Sequence, residues 1–196
     1  PSWIPYVTSY YKKNWGFSLS YNNFKKLKKG KYKVYINSSF EKDYLKYGLK
    51  ILKGKSNKII LISTYLCHPS MANNELSGPL VMRELIKKIK NWKNRYYTYY
   101  FLINPETIGS ICFINKYHKI LTKNMEAGMV LTCLGGKNSK LSYKMSRKSN
   151  SSLDKLFTYL ASKNKVEIRE FDPSSGSDER QFCSTLLNLP MGQIAR

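Results

Sequence analysis

One stretch, Lys58 to Pro79, constrains the fold of this chain more than any other: KIILISTYLCHPSMANNELSGP. Ile59, Ile60, Leu61 and Ile62 form a short apolar run without a polar face. Such a run suits a strand covered on both sides, so it calls for helices above and below. The spacing predicts a strand over Lys58–Thr64. A polar loop follows, carrying His68, Pro69, Ser70, Asn73, Asn74 and Glu75. A helix is expected from Ser77, a good N-cap residue. Gly78 and Pro79 fall in its first turn, where a missing N–H costs nothing. In open α/β sheets ligands bind beyond the carboxyl ends of the strands, so a histidine and a carboxylate here are placed for chemistry.

The same rhythm continues downstream. Val81, Leu85, Ile89 and Trp92 recur at helical spacing within Leu80–Trp92. A strand over Thr98–Asn104 stops at Pro105, with Glu106 just past its carboxyl end. Then come a helix over Ser110–Leu121 and a strand over Ala127–Leu134, closed by Gly135 and Gly136. A short strand is expected in Leu141–Met145, an amphipathic helix over Leu153–Ser162, and a strand in Val166–Phe171. The Ser- and Gly-rich loop Asp172–Arg180 precedes a last strand in Leu187–Ile194. Alternating strands and helices predict an α/β fold with a mostly parallel, helix-covered sheet over residues 57–196. Residues 1–56 read differently. They carry many tyrosines, a lysine-rich turn at Lys25–Lys31, and strand-like pieces at Tyr32–Ile36 and Tyr44–Leu52. That pattern predicts a small β-rich unit.

A chain of 196 residues has room for one sizeable core. Its net charge is +22, yet the lysines of KKLKKGKYK and KKIKNWKNR fall in turns and on polar helix faces. No nucleic-acid motif accompanies them, and the joint richness in Lys, Asn, Ile and Tyr matches AT-rich coding, so no nucleic-acid partner is expected. No apolar run approaches the ~20 residues of a membrane span. The first residues show no signal-peptide pattern and no starting Met, and the chain is read as part of a longer one. Cys67, Cys112, Cys133 and Cys183 form no CxxC pair, so free thiols in the cytoplasm are expected. Cys67 is adjacent to His68, and alternation along a strand would point it the other way.

Three polar spots follow predicted strands: His68 with Asn74 and Glu75, then Glu106, then Asp178 with Glu179. Imidazole and carboxylate are ligands that zinc accepts in catalytic sites, and a carboxylate beside the metal can act as general base. HPSMANNELSG resembles the first metal motif of co-catalytic zinc aminopeptidases, PETIGS their Glu-Glu-x-Gly segment, and GSDERQF their Ser-Asp segment. With IPYVTSYY, WGFSLS and STYLCHPSMANNELSGP, they more closely resemble bacterial aminopeptidase-like proteins associated with polysaccharide biosynthesis.

The resemblance implies a three-layer, phosphorylase/hydrolase-like α/β core, with residues 1–50 as the end of an inserted β domain. It implies zinc as cofactor and a peptide or amide as substrate. By position, His68 and Asp178 match metal ligands and Glu106 the general base. Asn74 stands where a metal-bridging aspartate belongs, with Glu75 as the alternative oxygen ligand, and Thr107 replaces a second glutamate. One ion is therefore expected rather than two. The superfamily's final histidine has no counterpart before Arg196, which implies weak zinc binding or none, and a domain truncated at its C-terminal end. The competing expectation is a non-catalytic relative that binds a ligand or partner in the same cleft.

Overall fold

The structure is a computed structural model and describes residues 1–5, 12–69, 71–137 and 140–196. Most of the IPYVTSYY segment, and Ser70 of the polar loop, lie outside the described residues. The chain divides into two compact units, Pro1–Lys42 and Asp43–Arg196.

The second unit is built on one seven-stranded sheet. Its strands are β1 (Gly48–Leu52), β2 (Ile59–Tyr65), β3 (Thr98–Asn104), β4 (Met125–Leu131), β5 (Ser142–Lys144), β6 (Glu167–Arg169) and β7 (Met191–Ala195). Their order across the sheet is β1-β3-β2-β4-β7-β5-β6. Four of the six pairings are parallel; only β1 with β3 and β5 with β7 run antiparallel. The helices are α1 (Tyr21–Phe24, in the first unit), α2 (Ser77–Lys90), α3 (Ile108–Asn124), α4 (Ser152–Ser162) and α5 (Glu179–Phe182).

The period of two along each strand separates two cores. Ile60 and Ile62 of β2 and Phe101 of β3 pack with Met82 and Ile89 of α2 and Phe157 of α4. Ile59 and Leu61 of β2 and Leu102 of β3 pack with Phe113, Ile114 and Leu121 of α3 and Phe182 of α5. The three-layer arrangement follows, and all seven residues of β2 are buried. Gly78 lets α2 approach closely: a Cβ there would lie 2.1 Å from Thr64 Oγ1 and 2.6 Å from the Leu131 carbonyl.

The N-terminal expectation is corrected. Among the described residues the first unit holds α1 and no strand. The alternation at Tyr32–Ile36 finds no ladder partner there, and side-chain alternation without pairing does not make a strand. The second strand-like piece, Tyr44–Leu52, forms only over Gly48–Leu52, as β1. It joins the large sheet as an antiparallel edge on β3, so the boundary lies at Lys42 and Asp43 rather than near residue 56. Among the described residues no helix is long and apolar enough to cross a membrane.

Candidate metal centre and cleft

The topology opens a crevice at one place. Neighbouring strands β2 and β3 send their following helices, α2 and α3, to opposite faces of the sheet. Loops leaving such a pair diverge, and the gap beyond their carboxyl ends is where α/β folds bind ligands. Cys67 and His68 lie just beyond β2, and Glu106 just beyond β3.

Glu75 reaches this crevice because residues Ala72–Leu76 form a π-helical turn ahead of α2. Ser77 begins α2, but it does not cap it. Its hydroxyl donates to the Asn73 carbonyl and accepts from the Leu134 N–H, tying the loop to the end of β4. The Glu75 carboxylate is 4% exposed. Its Oε1 lies 2.6 Å from His68 Nδ1, and its Oε2 accepts the Cys67 N–H. On the other side of the ring, His68 Nε2 faces Glu106 Oε2 at 3.7 Å. Glu106 Oε1 accepts a hydrogen bond from the Ser177 hydroxyl at 2.5 Å.

Asp178 sits behind Glu106 and is fully buried. Its Oδ1 accepts from the Thr107 N–H at 2.7 Å and Ser110 Oγ at 3.1 Å; its Oδ2 accepts from Asn104 Nδ2 at 3.0 Å. Burial pushes its carboxyl up to about 6, against the pull of those donors and with a further push from Glu106. Asp178 thereby pins Thr107, whose φ of +62° is strained for a β-branched residue. The turn that aims Glu106 is held in a conformation it would not adopt alone.

Asn74 donates from Nδ2 to the Tyr65 hydroxyl at 3.1 Å, while its buried Oδ1 has no hydrogen-bond partner. The structure thus draws His68, Glu75 and Glu106 to one spot, sets Asp178 directly behind them, and leaves Asn74 beside them on Tyr65.

Two participants escape the sequence pattern. Strand β2 ends at Tyr65, so alternation no longer governs Cys67, and its sulfur lies 3.4 Å from His68 Nδ1. Desolvation of that sulfur pushes the thiol up; the Glu106 N–H opposes this, and the Glu75, Glu106 and Asp178 carboxylates add to it. Ser177 is the other; it was legible only as the residue before Asp178 in GSDERQF.

The donor set bears on a metal ion. Cys67, His68 and Glu75 offer sulfur, nitrogen and oxygen atoms that all lie within 4.8 Å of one another. These are zinc's own ligand types. Asn74, the residue before Glu75, carries a buried oxygen without a hydrogen-bond partner. One ion fits this set. Where the resemblance puts a bridging carboxylate and a second-site carboxylate, at positions 74 and 107, this chain has an amide and a hydroxyl.

Fold and cleft together define an aminopeptidase-like α/β domain. Residues 8–196 match a family described as a domain of unknown function, DUF4910, and the chain belongs to that family. A Clostridium acetobutylicum protein named for polysaccharide biosynthesis and an aminopeptidase-like domain is 42% identical over 195 residues. That match takes in 98% of this chain and 44% of the relative, so the chain spans less than half of the relative's length. A crystal structure of a C. acetobutylicum protein named for a peptidase superposes with a TM-score of 0.85 at 40% identity, covering 98% of this chain and 45% of that one. A zinc aminopeptidase from Bacillus subtilis shares the fold, with a TM-score of 0.61 at 17% identity over 76% of this chain and 38% of its own.

Proposed function

We propose that this domain is a zinc-dependent, aminopeptidase-like hydrolase of a peptide or amide bond. The observation that carries the reading is the convergence of His68, Glu75 and Glu106 in the crevice between β2 and β3. His68 and Glu75 are the residues that would hold the ion. A bound zinc supplies Lewis acidity at an amide carbonyl and acidifies water.

Everything else falls to the chain. Glu106 takes the proton of the attacking water and returns it to the leaving amine. Ser177 fixes which Glu106 oxygen is engaged, leaving the other facing the ring of His68. Asp178 and Asn104 hold the turn beneath. The substrate is a small peptide, or an amide on a sugar precursor in keeping with the name of the 42% identical relative. Four free thiols support a cytoplasmic setting.

The test is hydrolysis of a panel of N-terminally free peptides and aminoacyl anilides. Turnover should vanish on chelation and return with added zinc. The amide at 74 and hydroxyl at 107 favour a second reading, a ligand-binding domain without turnover. Binding of these amides without cleavage, zinc being present, would support that reading against the hydrolase.

A further inference from the structure

We infer that the sulfur of Cys67 is itself a metal ligand, so that the centre is a mixed cysteine, histidine and glutamate site. The inference rests on the metal reading above and deepens it. A catalytic zinc takes three protein ligands and keeps one position open. His68 and Glu75 supply two. Asp178, the ligand that the aminopeptidase resemblance would add, is fully buried and already accepts from Asn104, Thr107 and Ser110. Cys67 is the remaining donor of the cluster.

The geometry favours it. Zinc bonds of roughly 2.0–2.3 Å at tetrahedral angles separate ligand atoms by about 3.4–3.6 Å. Cys67 Sγ already stands 3.4 Å from His68 Nδ1. Glu75 Oε1, at 2.6 Å from the same nitrogen, has to open by roughly 0.8 Å to take its place on the ion. The sulfur is also aimed: the Glu106 backbone N–H donates to it at 3.2 Å. Hydrogen bonds of this kind orient metal ligands and tune them. The Glu75 carboxylate is fixed in turn by the Cys67 N–H.

Charge points the same way. Position 74, where the resemblance puts an anionic ligand, holds a neutral amide, and position 107 a neutral hydroxyl. A thiolate restores one negative charge opposite a divalent ion. On binding, the Cys67 S–H bond breaks, a sulfur–metal bond forms, and the proton passes to solvent. A soft sulfur ligand also biases the site toward zinc and against magnesium, calcium or manganese.

Cobalt(II) added to the metal-free 196-residue chain tests this without any turnover. Thiolate ligation gives an intense sulfur-to-cobalt charge-transfer band in the near ultraviolet, beside weak visible ligand-field bands. The wild-type chain should show both. Cys67→Ser should lose the charge-transfer band and keep ligand-field bands, while Cys133→Ser, a control for the nearby thiol, should keep both. Ligand-field bands without charge transfer in the wild type would overturn the sulfur ligand and leave the metal reading standing. Charge transfer that survives Cys67→Ser would assign it to another cysteine and overturn the inference. No cobalt bands at all would overturn both.

Discussion

Glu106→Gln should lower the rate of amide hydrolysis by about 10²–10⁴-fold while leaving the zinc content of the chain unchanged, because a general base contributes on that scale and is not a ligand. The expectation comes from the division of labour in the crevice. Glu106 touches Ser177 through one oxygen and faces His68 across 3.7 Å with the other. The compact sulfur, nitrogen and oxygen cluster is made by Cys67, His68 and Glu75 without it. Glutamine keeps the shape and an oxygen for Ser177, and removes the basic lone pairs. The measurement is kcat of both proteins on one aminoacyl anilide, with zinc assayed in the same samples. Undiminished turnover would remove Glu106 from the chemistry. Loss of zinc would make it a ligand and break the assignment.

Lys144→Met should destabilise the fold by about 3–5 kcal/mol, which for a chain of this length lowers Tm by roughly 10 °C. Lys144 lies on β5 and is 6% exposed. Its Nζ donates to Glu179 Oε1 at 2.8 Å and to the carbonyls of Asp172 and Ser175 at 2.8 and 2.5 Å. Glu179 is fully buried and also accepts the Ser177 N–H at 2.9 Å. Removing the ammonium strands a carboxylate with no route to water, and that stranding is the main cost. Gly176 shows how tightly the loop is drawn in. Its φ is +112°, and a Cβ there would lie 2.0 Å from Glu179 Oε1. The double variant Lys144→Met with Glu179→Gln should recover more than half of the loss, because the amide is neutral and keeps an oxygen for Ser177. Thermal unfolding of the two proteins checks this. A Tm for Lys144→Met within about 2 °C of wild type would contradict the account, being well short of the expected loss.

This pair is also where the sequence stops being legible. Strand β3 could be read from end to end because its apolar run meets Pro105, which cannot donate to a ladder. The start of α2 was marked by Ser-Gly-Pro. His68, Glu75 and Glu106 announced themselves as polar residues after apolar runs, a local signal. Lys144 and Glu179 are 35 residues apart, and nothing local distinguishes a lysine that will be buried from the others of this lysine-rich chain. The same holds for β1, whose place at the edge of the sheet depends on a partner strand about fifty residues away. The direction of Cys67 was misread for a different reason. Alternation predicts side-chain direction only while the strand lasts, and β2 ends two residues earlier.

The central claim is that the crevice between β2 and β3 holds one metal ion through His68. Zinc content of the purified 196-residue chain, after loading and exhaustive dialysis, tests it most directly. With Cys67 as a third ligand in place of the missing histidine, the expectation of weak binding is reversed: the account predicts about one zinc per wild-type chain, as a single site of this ligand type holds one ion, and close to none in a folded His68→Ala variant. A wild-type chain that retains no zinc, or a His68→Ala chain that retains as much as the wild type, would contradict it.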